Sequence, residues 1–238
     1  MAAVIVAAVL LVSGCADTAG EAPASPAHTQ PPRIKDLVTP SPTPTAPATA
    51  EPVAQTVDAG VVAGGTAATV SGNGPSNVTY QRQGEFAVVI ELDCSACTGT
   101  TTVTAPGRMS PLGEVAAPLG GSFLMDVFTD DPVNQMLIVQ AQGPWTVQLQ
   151  SWNDLPLVSG PQSGAGPAVL FFSDDVPRVT VDYTPAGTDD SFSGRVFTTS
   201  GVPQVFGDTG ALSEVFDADL PGVMSIQTNG TWTVTPTP

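Results

Sequence analysis

The sequence predicts an all-β protein: two tandem antiparallel β-sandwich-like repeats, residues 66–152 and 153–238, following a disordered Pro/Thr/Ala-rich linker. Three observations lead there. From Thr66 onward, short β-branched and aromatic runs are separated by Gly, Pro, Asn and Asp, the texture of strands and turns. The 24 Gly and 24 Pro argue against a helical chain. The same region also repeats itself. Ser71-Gly72-Asn73-Gly74-Pro75 returns as Ser163-Gly164-Ala165-Gly166-Pro167, and Gly143-Pro-Trp145-Thr146-Val147 returns as Gly230-Thr-Trp232-Thr233-Val234. Val127-Phe128 and Val215-Phe216 fall between these landmarks in the same order, so one β unit of about 80 residues is duplicated.

Candidate strands in the first copy lie near 67–70, 77–82, 86–93, 100–105, 122–128, 135–141 and 145–151. Leu137 and Val139 alternate with polar neighbours, as do Trp145, Val147 and Leu149, which gives each strand one apolar face. Gly143 lies between these two strands and marks a hairpin. In the second copy Met224, Ile226, Trp232 and Val234 occupy the corresponding face. Six or seven short strands per copy fit a sandwich. One larger sandwich, with a sheet from each copy, is the alternative arrangement. Trp145 and Trp232 read as core aromatics, with a sugar-stacking platform as the other reading. Trp152 has no counterpart in the second copy and is expected at the junction between copies.

Ahead of the β region the chain has a different character. Ala2 to Val12 is apolar, too short for the ~20 residues that span a bilayer, and ends at Leu11-Val12-Ser13-Gly14-Cys15. Residues 1–14 therefore read as a signal peptide. Such a segment ordinarily opens with Lys or Arg, whereas this one opens Met1-Ala2-Ala3-Val4, so translation is expected to start further upstream. Residues 15–65 read as an anchor cysteine followed by linker, as in Pro40-Ser-Pro-Thr-Pro-Thr-Ala-Pro47. That segment lacks the apolar surface to offset its ordering entropy. In extended polyproline geometry it would reach about 150 Å.

The run ending in Cys15, with the Pro/Thr-rich tether behind it, resembles bacterial lipoproteins of the type seen in high-GC Gram-positive bacteria. The resemblance covers the first quarter of the chain. It implies cleavage before Cys15, a diacylglycerol on its sulfur, usually a third acyl chain on its amine, and residence on the extracytoplasmic face of the cell membrane. One acyl chain binds a membrane only marginally, and two or more hold it stably.

Composition excludes several functions. The net charge is −16, with six Lys plus Arg, so phosphate backbones are repelled and nucleic acid is not an expected partner. An acidic surface gains nothing from anionic headgroups, so membrane attachment falls to the lipid. The one histidine is His28 and the one lysine is Lys35, both in the linker. A Ser-His-Asp or Cys-His device therefore has no base in the β region, and a Schiff-base lysine or a His-ligated zinc has no ligand there. No Gly-rich phosphate loop occurs, and no cofactor is implied.

Three motifs remain. Cys94-Ser-Ala-Cys97 lies between strand and turn sequences rather than at a helix start, and in an exported chain it reads as a structural disulfide. The second copy places Asp182-Tyr183-Thr184-Pro185 against Asp93-Cys94-Ser95-Ala96, without cysteines. Paired acids at Asp130-Asp131, Asp174-Asp175 and Asp189-Asp190, with Asp217 and Asp219, are the residues that would hold Ca²⁺, although Asp also favours turns. Glu85, Glu91, Glu114 and Glu214 are the glutamates past the linker, and no two pair as a hydrolase would need. The expected function is thus non-enzymatic: a lipid-anchored envelope protein whose tandem β domains bind a wall, protein or other surface component, or play a structural role. A carbohydrate- or Ca²⁺-dependent recognition module is the second reading, and a carboxylate hydrolase the third.

Overall fold

The computed structural model describes residues 54–107, 111–116, 120–125, 133–198 and 201–238. Leu11 to Cys15, His28, Lys35, Val127-Phe128 and the Asp130-Asp131 pair lie outside the described residues. Eighteen strands and one 3₁₀ turn form among those described. The first nine are β1 (Gln55–Ala63), β2 (Ala68–Asn73), β3 (Ser76–Gln83), β4 (Val88–Asp93), β5 (Thr98–Thr104), β6 (Gly113–Ala116), β7 (Gly120–Met125), β8 (Asn134–Gln142) and β9 (Pro144–Ser151). After the turn at Trp152–Asp154 come β10 (Leu157–Val158), β11 (Gln162–Ala165), β12 (Ala168–Phe172), β13 (Arg178–Thr184), β14 (Phe192–Phe197), β15 (Gln204–Asp208), β16 (Leu212–Asp217), β17 (Gly222–Gln227) and β18 (Thr231–Thr237).

Each set of nine makes two sheets. The first set is ordered β1-β3-β8-β5-β6 facing β2-β9-β4-β7, and the second β10-β12-β17-β14-β15 facing β11-β18-β13-β16. Adding nine to every label of the first set yields the second, so the duplication extends to the whole topology, although the register sets Val215-Phe216 against Ser122-Phe123 and not against Val127-Phe128. Each copy supplies both of its own sheets, not one sheet of a larger sandwich.

Two features depart from the sequence reading. The sheet begins at Gln55, ten residues inside the segment read as linker. Prolines stop at Pro52, and Val57, Ala59 and Val62 then pack against the first core, which offsets the ordering entropy. Also, β1 pairs with β3 and β10 with β12 in parallel, whereas every other pairing between named strands is antiparallel. The chain crosses to the facing sheet as β2 or β11 before returning, so the crossover that a parallel pair needs is supplied by a strand.

Alternation puts Val88, Ile90 and Leu92 of β4 and Trp145, Val147 and Leu149 of β9 inside the first sandwich. Val179, Val181, Tyr183, Trp232 and Val234 do the same in the second. The outward side of β4 and β7 should then face water, yet Val89 and Leu124 are buried. They meet Val169 and Val223 of the second copy in a separate apolar cluster with Leu155, flanked by Trp152, Phe171 and Phe197. Trp152 lies at this junction, edge-on to Phe197 at 6.1 Å. Ser122 N–H donates to the Pro167 carbonyl, Val169 N–H to the Ser122 hydroxyl, and the Gln227 amide to the Leu112 carbonyl.

The copies have diverged at the faces this contact uses. Val89 and Leu124 are register partners in the first copy, and Arg178 and Asp217 hold the corresponding positions in the second. Asn77 and Thr79 of β3 correspond to Val169 and Phe171 of β12. At these positions the covered faces carry apolar residues where the uncovered ones carry polar or charged residues.

Candidate functional site

The two repeated landmarks lie at opposite ends of each copy in sequence and side by side in space. Gly72 is the register partner of Trp145, and Gly164 that of Trp232. A Cβ at either glycine would fall inside the indole ring of its partner. Each ring N–H donates 2.8 Å to a carbonyl, from Trp145 to Gly74 and from Trp232 to Gly166. Those two glycines have φ of +75° and +76°, a region that side chains avoid. With 2% and 5% exposure, the tryptophans are core residues with a satisfied polar atom and offer no stacking platform.

Cys94 and Cys97 form a disulfide in the β4–β5 turn. So short a loop is worth about 2 kcal/mol by the chain-entropy account. The Thr101 hydroxyl lies 3.1 Å from the Cys94 sulfur, and the Cys97 sulfur 3.3 Å from the Pro144 carbonyl, so the turn rests on the β8–β9 hairpin. Before it, the Ser95 N–H and hydroxyl hold the Asp93 carboxyl below the usual carboxylate range.

In the second copy Tyr183 replaces Cys94, and Asp190 takes over the stapling. Its carboxylate accepts from the N–H groups of Ala186, Ser191 and Asn229 and from the Thr228 hydroxyl, tying the β13–β14 turn to the β17–β18 hairpin. Burial alone would raise its pKa. The backbone donors, together with the neighbouring Tyr183, outweigh burial and hold it below the usual range. Burial pushes the Tyr183 hydroxyl up; nearby Thr228 opposes that rise, whereas Asp190 adds to it.

A depressed folded-state pKa stabilises fully above the unfolded value of about 3.9, and that stability is lost as pH falls through the folded value. Asp190→Asn should therefore lower stability by about 1–3 kcal/mol at pH 7. The gap to the unsubstituted chain should close as the acid limb is reached, which denaturant titration at neutral pH and near pH 3 measures.

The remaining acidic residues separate. Asp174 accepts from Gly160 N–H and the Ser159 hydroxyl, and Asp219 pairs with the Gln204 amide. Among the described residues no three His, Cys, Asp or Glu side chains converge in a way that could hold a metal ion. Glu91 accepts from Gln150 on the outer face of the first sandwich, Glu114 lies on β6 and Glu214 on β16.

The site that sequence reasoning missed is a cleft of about 1040 Å³ in the first sandwich, where β1, β3 and β8 meet the end of β7 and the loop after β5. The β1–β3 register shifts between Asp58 and Gly60, a bulge of the kind that re-aims side chains at binding sites. Asp58 accepts from Gly60 N–H there. Thr79, Gln81 and Asn134 bring hydroxyl and amide groups to the walls, beside Val61, Pro106 and Met136. On the inward face of the same strands the Tyr80 hydroxyl donates 2.6 Å to Gln135 Oε1 and lies 3.2 Å from the Met125 sulfur. Tyr80 is 2% and Gln135 7% exposed.

No family model matches the chain, and no curated protein does. Among solved structures it is similar to the CUB1-EGF-CUB2 domains of rat MASP-1, at 8% identity and a TM-score of 0.24, covering 77% of this chain and 100% of that one.

Proposed function

We propose that this is a non-enzymatic, lipid-anchored envelope protein that holds a fixed pair of β-sandwich modules away from the membrane for recognition of a surface component. The observation that carries the reading is Leu11-Val12-Ser13-Gly14-Cys15 at the end of a short apolar run, followed by a Pro/Thr-rich tether. The junction supports a display role, because apolar packing and hydrogen bonds, Ala116 N–H to Asn229 Oδ1 among them, hold the two modules in one orientation. The polar chemistry of the folded part supports recognition over catalysis. The sequence carries no imidazole or amine base past residue 35, and Asp174, Asp190 and Asp219 are engaged in local hydrogen bonds. The cleft favours a second, narrower reading in which recognition is of carbohydrate.

Cys15→Ala removes the acylation site and leaves the β region unchanged. It should move the protein from the membrane fraction to the soluble fraction or medium, as read by fractionation of intact cells. Equal membrane retention of the variant would overturn the anchor.

A further inference from the structure

The duplication supplies an internal control for the buried polar pair behind the cleft. Tyr80 and Gln135 are register partners in the first copy, and their equivalents in the second are the register partners Phe172 and Gly222. Met125 corresponds to Ala218, which is buried. The second copy closes the same topology without this hydrogen-bonded set, so the fold itself does not require it. A buried hydrogen-bonded pair adds desolvation cost, and a purely apolar pair is the simpler way to fill a core.

We propose that the cleft of the first repeat binds a neutral, hydroxyl-rich glycan. The inference deepens the recognition reading and rests on it. Asp58 is the one charged group among the described lining residues, and it already accepts from Gly60 N–H. An anion would meet that carboxylate and a chain of net charge −16. A cation would find a single, already bonded partner. An apolar ligand would desolvate the Asn134 and Gln81 amides without replacing their hydrogen bonds. A sugar hydroxyl both donates and accepts, and side-chain amides offer both functions at fixed positions. Val61, Pro106 and Met136 supply apolar surface for the C–H face of a sugar ring. The volume is at the upper end of the range for small-molecule sites and suits a short oligosaccharide.

The test uses the full chain in a zwitterionic, sugar-free detergent, titrated with neutral gluco-, manno-, galacto- and arabino-oligosaccharides by saturation-transfer NMR and calorimetry. At least one should bind with Kd below about 1 mM. Asn134→Ala, at an exposed position, should weaken it about five-fold or more with the melting temperature unchanged, and Asp58→Ala should weaken it as much while also giving up the bond to Gly60 N–H. Thr180→Ala in the second repeat should leave binding as it was. No binding across the panel, or binding indifferent to Asn134 and Asp58, overturns the proposal. Glycan binding by a chain that fractionation shows to be unanchored would leave this proposal standing and remove only the membrane tether.

Discussion

Replacing Trp232 with alanine is expected to lower the stability of the β region by about 3–5 kcal/mol, among the largest effects a single truncation produces. The ring fills the second core, its N–H satisfies the Gly166 carbonyl, and its face lies where a Cβ on Gly164 would be. Gly164→Ala in the otherwise unchanged chain should cost about 1–3 kcal/mol, because the indole must move. In the Trp232→Ala background the same glycine change should cost almost nothing, since the obstructing ring is gone. Chemical denaturation of the four proteins gives the coupling directly. Additive effects would mean that glycine and tryptophan do not form one unit. The same cycle at Gly72 and Trp145 should behave alike.

The second large effect belongs to the junction. Leu124→Asp should separate the two sandwiches while leaving each folded. Leu124 is buried only because the second repeat covers it, and its counterpart Asp217 shows that this strand position tolerates a carboxylate when free. The change loses about 1.5–3 kcal/mol of apolar burial and sets an unpaired carboxylate against Val169 and Val223, bringing the cost to about 3–5 kcal/mol of junction stability. Small-angle scattering should report a larger radius of gyration. Hydrogen exchange should accelerate at the amides of Ser122 and Val169, which bond across the junction. An unchanged radius with unchanged protection would contradict a junction held by this cluster.

How far the sequence was legible follows from the range of each signal. Period-two alternation and glycine-marked turns are local, so β8, β9, β17 and β18 could be read with their inward residues. Duplication made the tryptophans visible as a pair. β1 was hidden because composition averaged over the linker masks a Pro-free stretch of nine residues. The junction left a mark that alternation alone overlooks: Val88-Val89-Ile90 and Phe123-Leu124-Met125 are unbroken apolar runs, the pattern of strands covered on both faces. Asp190 looked like any turn aspartate, since its donors come partly from Thr228 and Asn229, 38 and 39 residues away. The Tyr80–Gln135 pair spans 55 residues, and no local pattern announces it. A long-range polar contact becomes readable once the register between strands is known.

Mass spectrometry of the N-terminal peptide, taken from protein extracted from cell membranes, tests the anchor most directly. The account predicts a mature chain that begins at Cys15 and carries the mass of a diacylglycerol on its sulfur, with or without a further acyl group on its amine. An unmodified Cys15, within an uncleaved leader or downstream of a different mature terminus, would contradict it.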